Sequence, residues 1–200
     1  MLKASQSDPA VVDIAAIRDD DLMARLAAHD AEALRLVVAH HAAPAHRIAW
    51  RMLGDASEAE DVVQEALLKL WQQADRWIAG GQGIAPWLSR VTTNLCIDRL
   101  RRIRPVTGLE LPDKADGSPG AEAQLTAQDI KARTHEALLE LPERQRAALI
   151  LTYFEEYPNG RAAEALGMKV KAFESLLLRA RKALRSILQE RGLLGWESEQ

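Results

Sequence analysis

Residues 105–124 (PVTGLELPDKADGSPGAEAQ) gather three prolines and three glycines between two long stretches where apolar residues recur at helical spacing. Proline removes a backbone donor and glycine raises the entropy cost of ordering, so no regular element is expected through such a segment. The chain divides accordingly into an N-terminal extension (1–20), a first helical domain (21–104), a flexible linker (105–125), a second helical domain (126–191) and a C-terminal tail (192–200). No segment alternates apolar and polar residues long enough to argue a sheet. The expected fold is all-α, with two small helical domains. In the extension, Val11, Val12, Ile14 and Ile17 are compatible with a short helix.

Within the first domain, Ser57 followed by Glu60 has capping-box spacing, and Val62, Val63, Ala66, Leu67, Leu70 and Trp71 then recur on one face, predicting a helix over 57–73. Gly80, Gly81 and Gly83 lie between Trp77 and Trp87 and mark a turn before a helix that Pro86 helps to start. In the second domain Pro142 opens a helix reaching Phe154, and segments 159–166 and 170–188 meet at Gly167 and Met168. Ala162, Ala163 and Leu166 are expected to face inward from the first segment, and Val170, Phe173, Leu177 and Ala180 from the second. This is helix-turn-helix spacing.

The net charge of −3 conceals strong segregation. Five acids and no bases lie between Asp55 and Glu65, whereas five arginines face Asp98 alone between Arg90 and Arg104. Lys169 to Arg185 holds six basic residues against Glu174, and Glu136 to Glu164 holds six acids against three arginines. Local potential, not the sum over the chain, governs docking to a phosphate backbone. On the second helix of the motif, Lys169, Lys171, Glu174, Ser175 and Leu178 can approach base edges. Arg179, Arg181, Lys182 and Arg185 are better placed for phosphates.

Other chemistries find little support. One cysteine, Cys96, excludes an intramolecular disulfide and a thiolate-rich metal cluster, and it is expected to be a buried small hydrophobe. His29, His40, His41, His46 and His135 show no ligand-like arrangement. No nucleophile–base pair or phosphate loop is present, so no catalytic residue, metal or cofactor is expected. No apolar run approaches the ~20 residues that cross a bilayer, and a cytoplasmic protein without membrane insertion is expected.

Taken together, the two halves resemble an extracytoplasmic-function sigma factor of the sigma-70 family, from Asp30 to Leu188. RIAWRMLGDASEAEDVVQEALLKLWQQADRW resembles the region that binds the RNA polymerase clamp, and IAPWLSRVTTNLCIDRLRR the segment that melts and reads the −10 element. LLELPERQRAALILTYFEEY, followed by the helix-turn-helix, resembles the region that contacts the polymerase flap and reads the −35 element. The resemblance implies a non-catalytic initiation subunit. Its partners would be core polymerase, promoter DNA and a cognate anti-sigma factor, which would hold it away from the nucleoid.

It also implies residue roles. Glu60, Asp61, Gln64 and Glu65 would bind core polymerase, flanked by apolar packing from Val62, Val63 and Leu67. Residues 73–82 resemble the loop that captures a non-template base. Trp77, Arg90, Thr93, Asn94, Arg99, Arg101 and Arg102 would meet −10 DNA, while Trp87 is more consistent with core. Lys169, Lys171, Glu174, Ser175, Leu178, Arg179, Arg181 and Lys182 would meet −35 DNA. Lys169 stands where many relatives have a serine or threonine cap, Leu176 where they often have a base, and Asn159–Gly160 where an aromatic and an acid are more common. Two other readings fit the residues: a dimeric helix-turn-helix regulator acting without core polymerase, and an interaction protein that binds an anti-sigma factor.

Overall fold

The computed structural model describes residues 18–103 and 127–194, and every regular element among them is helical. The first unit comprises α1 (Asp19–Ala27), α2 (Ala31–Leu53), α3 (Ala56–Gln73) and α4 (Ile84–Ile103). The second comprises α5 (Ala127–Glu140), α6 (Glu143–Leu149), α7 (Asn159–Ala165) and α8 (Val170–Glu190). A 3-10 turn, Ala74–Arg76, follows α3, and α6 widens into a π-helical turn, Ile150–Phe154. The expected linker and the apolar residues of the N-terminal extension lie outside the described residues.

Local chemistry sets the helix ends. Asp30 caps α2, its Oδ1 accepting from the amides of Glu32 (2.8 Å) and Ala33 (3.4 Å). Gly54, at φ +75°, closes α2 in the left-handed region that side chains avoid. Asp55 is then extended, and its Oδ1 accepts from the Glu58 amide at 2.9 Å. The cap of α3 is therefore Asp55, not Ser57, because the glycine turn delivers Asp55 to the position where a carboxylate reaches the free amides. Pro44 sits inside α2, which continues through it with Ala45, Ile48, Ala49 and Met52 buried.

Two apolar clusters organise these helices. One is confined to the first unit and joins Leu22, Met23 and Leu26 of α1 to Val37, Leu70, Ile84 and Leu88. The other is continuous across both units, packing Ile48, Met52, Val62 and Cys96 with Leu138, Ile150, Phe173 and Leu177. Two helical units are present, as expected, yet they share a core. Burial of both apolar faces against each other removes more hydrocarbon from water than either small unit achieves alone. Gly54 lies at this junction, where an added Cβ would stand 2.6 Å from Leu139 Cδ1. Cys96 is fully buried as expected, and burial pushes its thiol up to about 12.

Candidate nucleic-acid interface

The 3.6-residue repeat of α3 turns Ala59, Val62, Val63, Ala66 and Leu70 into the core and leaves Glu60, Asp61 and Gln64 exposed, with Glu65 half-buried. Val62 and Val63 are thus unavailable to a partner, contrary to their expected place beside the acids. Leu68 and Trp71, one and two turns beyond Gln64, supply exposed apolar surface instead, at 55% and 39%. Their spacing from Gln64 was the signal that sequence reading passed over.

Arg99 does not line a free cationic track. From α4 its guanidinium pairs with Glu58 and lies 3.9 Å from both Asp61 and Glu65, because α4 packs directly beside α3. In this structure it therefore stands within the acidic face, apart from the exposed cations of α4. Thr93, also expected at DNA, does not reach the surface of α4. It is fully buried, and its Oγ1 has no hydrogen-bond partner among the described residues. Arg90, Asn94, Arg101 and Arg102 remain exposed on α4, although Arg101 Nε donates to Glu143 Oε1 at 3.1 Å.

The glycine-rich loop is braced by residues that sequence reading missed. Asp20 accepts from the Trp77 indole at 3.2 Å and from the Gly80 amide at 3.0 Å. These bonds, the Gly80 amide foremost, hold its carboxyl below the usual carboxylate range. Asp19 accepts from the Ile84 amide at 2.7 Å, at the first residue of α4. Gly83 has φ +87°, and a Cβ there would lie 2.5 Å from Asp19 Oδ2. Carboxylates at the start of α1 thus meet unpaired amides of the loop, a long-range arrangement that no local motif announces.

Trp77 and Trp87 are half-buried against the first-unit core, and both line a cavity of about 250 Å³. Arg76 and Arg90 contribute from the first unit, while Tyr157, Arg161 and Glu164 close it from the second. A planar base and its phosphates would find aromatic walls and cations here.

In the second unit, Gly167 at φ +61° makes the turn between α7 and α8, and the next amide, of Met168, donates to Ala163 O at 2.9 Å. Phe173, Leu176, Leu177 and Ala180 form the buried face of α8. Leu176, at a position where relatives often have a basic residue, points into the core. Val170, expected inward, is 44% exposed, since the first turn of α8 projects beyond the packing. Lys169, Lys171, Glu174, Ser175, Leu178, Arg179, Arg181 and Lys182 are all exposed. Lys169 occupies the cap position without a side-chain bond to the helix. Arg181 lies over the Tyr153 ring at 5.4 Å, and Ser175 Oγ donates to Lys171 O. A helix presenting cations around an exposed leucine is suited to a duplex groove.

Two family models match the chain, sigma-70 region 2 over residues 37–105 and sigma-70 region 4 over residues 131–184. The chain is 34% identical over 174 residues to the ECF RNA polymerase sigma factor SigL of Mycobacterium tuberculosis, covering 84% of this chain and 95% of SigL. It is 29% identical over 157 residues to the ECF RNA polymerase sigma factor SigW of Bacillus subtilis, covering 72% and 83%. Among solved structures, it resembles CnrH, determined in complex with the cytosolic domain of CnrY. That match has a TM-score of 0.64 and 25% identity, over 86% of this chain and 97% of CnrH. The fold is also that of RpoE from Bartonella quintana, solved with the anti-sigma factor NepR (TM-score 0.58, 23% identity, 78% and 96% covered).

Proposed function

The chain belongs to the ECF sigma factors of the sigma-70 family, non-catalytic subunits that direct RNA polymerase to promoters, and from that premise we propose how its surfaces divide the work. The exposed acids of α3, Glu60 and Asp61 with Gln64 and Glu65, bind basic residues on the polymerase clamp, with Leu68 and Trp71 as the apolar part of the contact. The second unit meets the polymerase flap and inserts α8 into the upstream duplex. Lys169, Lys171, Glu174, Ser175 and Leu178 approach base edges, while Arg179, Arg181 and Lys182 hold phosphates. The loop after α3 and the exposed residues of α4 (Arg90, Asn94, Arg101 and Arg102) carry the melted −10 strand, and Trp77 and Trp87 wall its base pocket. Arg99 positions the α3 acids.

The observation that carries this reading is the separation of charge between elements: carboxylates exposed on α3, cations exposed on α4 and α8. An anti-sigma partner acting in the cytoplasm fits the same surfaces. CnrH, of the same fold, is solved with a cytosolic protein domain. Among the described residues no helix is long and apolar enough to cross a membrane.

Transcription reconstituted from purified core polymerase and this chain tests the assignment. Asp61→Arg with Glu65→Arg is expected to weaken core association at least about tenfold, equivalent to about 1.4 kcal/mol. Unchanged core affinity removes α3 from the contact. The dimeric-regulator reading predicts instead tight promoter binding by the chain alone.

A further inference from the structure

The two carboxylates that brace the glycine-rich loop stand on a rigid support. Just beyond Asp20, Leu22 and Met23 are 2% and 0% exposed, and with Leu26 they pack α1 against Leu70 of α3 and Ile84 and Leu88 of α4, the helices that flank the loop. Asp20 holds the entry to the loop at the Trp77 indole and its middle at the Gly80 amide, while Asp19 holds its exit at the Ile84 amide. The bonds to amides fix the path of the backbone. The bond to the indole fixes a ring in the cavity wall. Gly80 and Gly83, at φ +76° and +87°, make such a segment pliable on its own, and Ile78 between the held points is 81% exposed.

We propose that Asp19 and Asp20 are positioning residues for base selection, holding residues 77–83 in one backbone shape so that the loop accepts one unstacked base of the −10 strand and rejects the others. The inference rests on the assignment of this loop to the melted −10 strand, and in it neither carboxylate touches DNA. Selectivity is a difference between affinities, so a site discriminates only where it cannot rearrange to suit the wrong base. A loop with unheld amides re-packs around each base in turn. One pinned at Trp77, Gly80 and Ile84 keeps its ring and its donors where a single base meets them. Pinning also removes ordering entropy that capture would otherwise cost. Loss of the brace therefore weakens capture of the preferred base more than capture of the others, to which a loose loop adapts. The ratio between bases shrinks. A purely structural role predicts a different result, because a less stable chain binds less of every sequence in the same proportion.

Selection by holoenzyme, assembled from core polymerase and the full chain, tests this on duplex DNA carrying a randomised, pre-melted segment of the non-template strand. Sequencing of the bound fraction gives the base preference at each position. The position read by the loop is the one whose preference Trp77→Ala erases, and there the parent is expected to favour one base by about tenfold. Asp20→Ala is expected to reduce that ratio to about threefold or less. Asp20→Asn, whose amide oxygen still accepts one bond, should fall between, and it decides alone if Asp20→Ala does not fold. Val37→Ala, on α2 in the same apolar cluster, is the destabilised reference; it lowers the melting temperature and is expected to keep the parent ratio. An undiminished ratio in the Asp20 variants overturns the proposal. So does an equal fall in Val37→Ala, which would make selectivity follow stability. If Trp77→Ala erases no preference, the −10 assignment of the loop fails and the proposal with it. If it does and the Asp20 variants change nothing, the positioning role alone fails.

Discussion

The buried guanidinium of Arg146 donates to the carbonyl oxygen of Met52, 94 residues earlier in the chain, and so joins the second unit to the last turn of α2. The same group donates to Leu139 O and Leu141 O at the end of α5. Helix ends leave carbonyls without intrahelical partners, and one cation here serves two such ends. Only 6% of Arg146 is exposed; burial lowers its pKa to about 10, which still leaves it charged at neutral pH. Arg146→Ala strands these carbonyls and is expected to cost on the order of 3 kcal/mol in urea unfolding, with Arg146→Lys intermediate. A loss under about 1 kcal/mol would mean that water replaces the guanidinium without penalty.

His135 stacks on Trp50 across the junction between the units, with ring centroids 4.0 Å apart and planes 4° from parallel. Burial, reinforced by Arg146 and Arg51, holds its pKa below the usual 6.5, with Glu136 opposing. A lowered pKa means stability that is complete above the unfolded value and lost as pH falls through the folded one. The melting temperature is therefore expected to drop between about pH 7.5 and about pH 5.5. His41, also lowered by burial, contributes to the same drop. His135→Phe keeps the stack and should shrink the drop without abolishing it; an undiminished drop would exclude His135 as its source. Glu155 has the opposite sign, because burial outweighs Arg51 at 3.4 Å and raises its carboxyl, so its contribution favours low pH.

Thr93 tests whether a residue from the expected DNA set is structural in the free chain. A buried hydroxyl without a partner costs free energy that a methyl group of similar shape avoids. Thr93→Val is expected to stabilise the free chain by about 1 kcal/mol, read by chemical denaturation. Destabilisation would show that the hydroxyl has found an acceptor.

On α8, Lys171→Ala with Arg181→Ala is expected to spare core association and impair initiation that depends on the upstream element. Of the two, Arg181 is the one assigned to a phosphate, so the salt dependence of duplex binding should become shallower by roughly one counterion. Initiation and salt slope both unchanged would remove these residues from the interface.

Helical periodicity was legible wherever a helix had one buried face, as in the Phe173–Leu177–Ala180 stripe of α8. It failed at Val170, since a repeat of 3.6 says which residues share a face but not where the opposing surface ends. Charge segregation was equally legible, yet Arg90 and Arg99 belong to one arginine-rich run and only Arg99 is enclosed by acids. Composition marks a cation; only packing shows whether it is already paired.

The sequence by itself determined the helices, the turn at Gly167, the division by a proline- and glycine-rich segment and the placement of opposite charges on different elements. These are local properties, encoded within a few turns of the chain. Tertiary structure decided that the two units share one core, that Asp19 and Asp20 brace the glycine-rich loop, and that α7 covers the aromatic cavity. The deciding contacts join residues 57 to 94 positions apart, where no local spacing constrains them and only complementary apolar faces, orphaned carbonyls and unpaired charges bring them together.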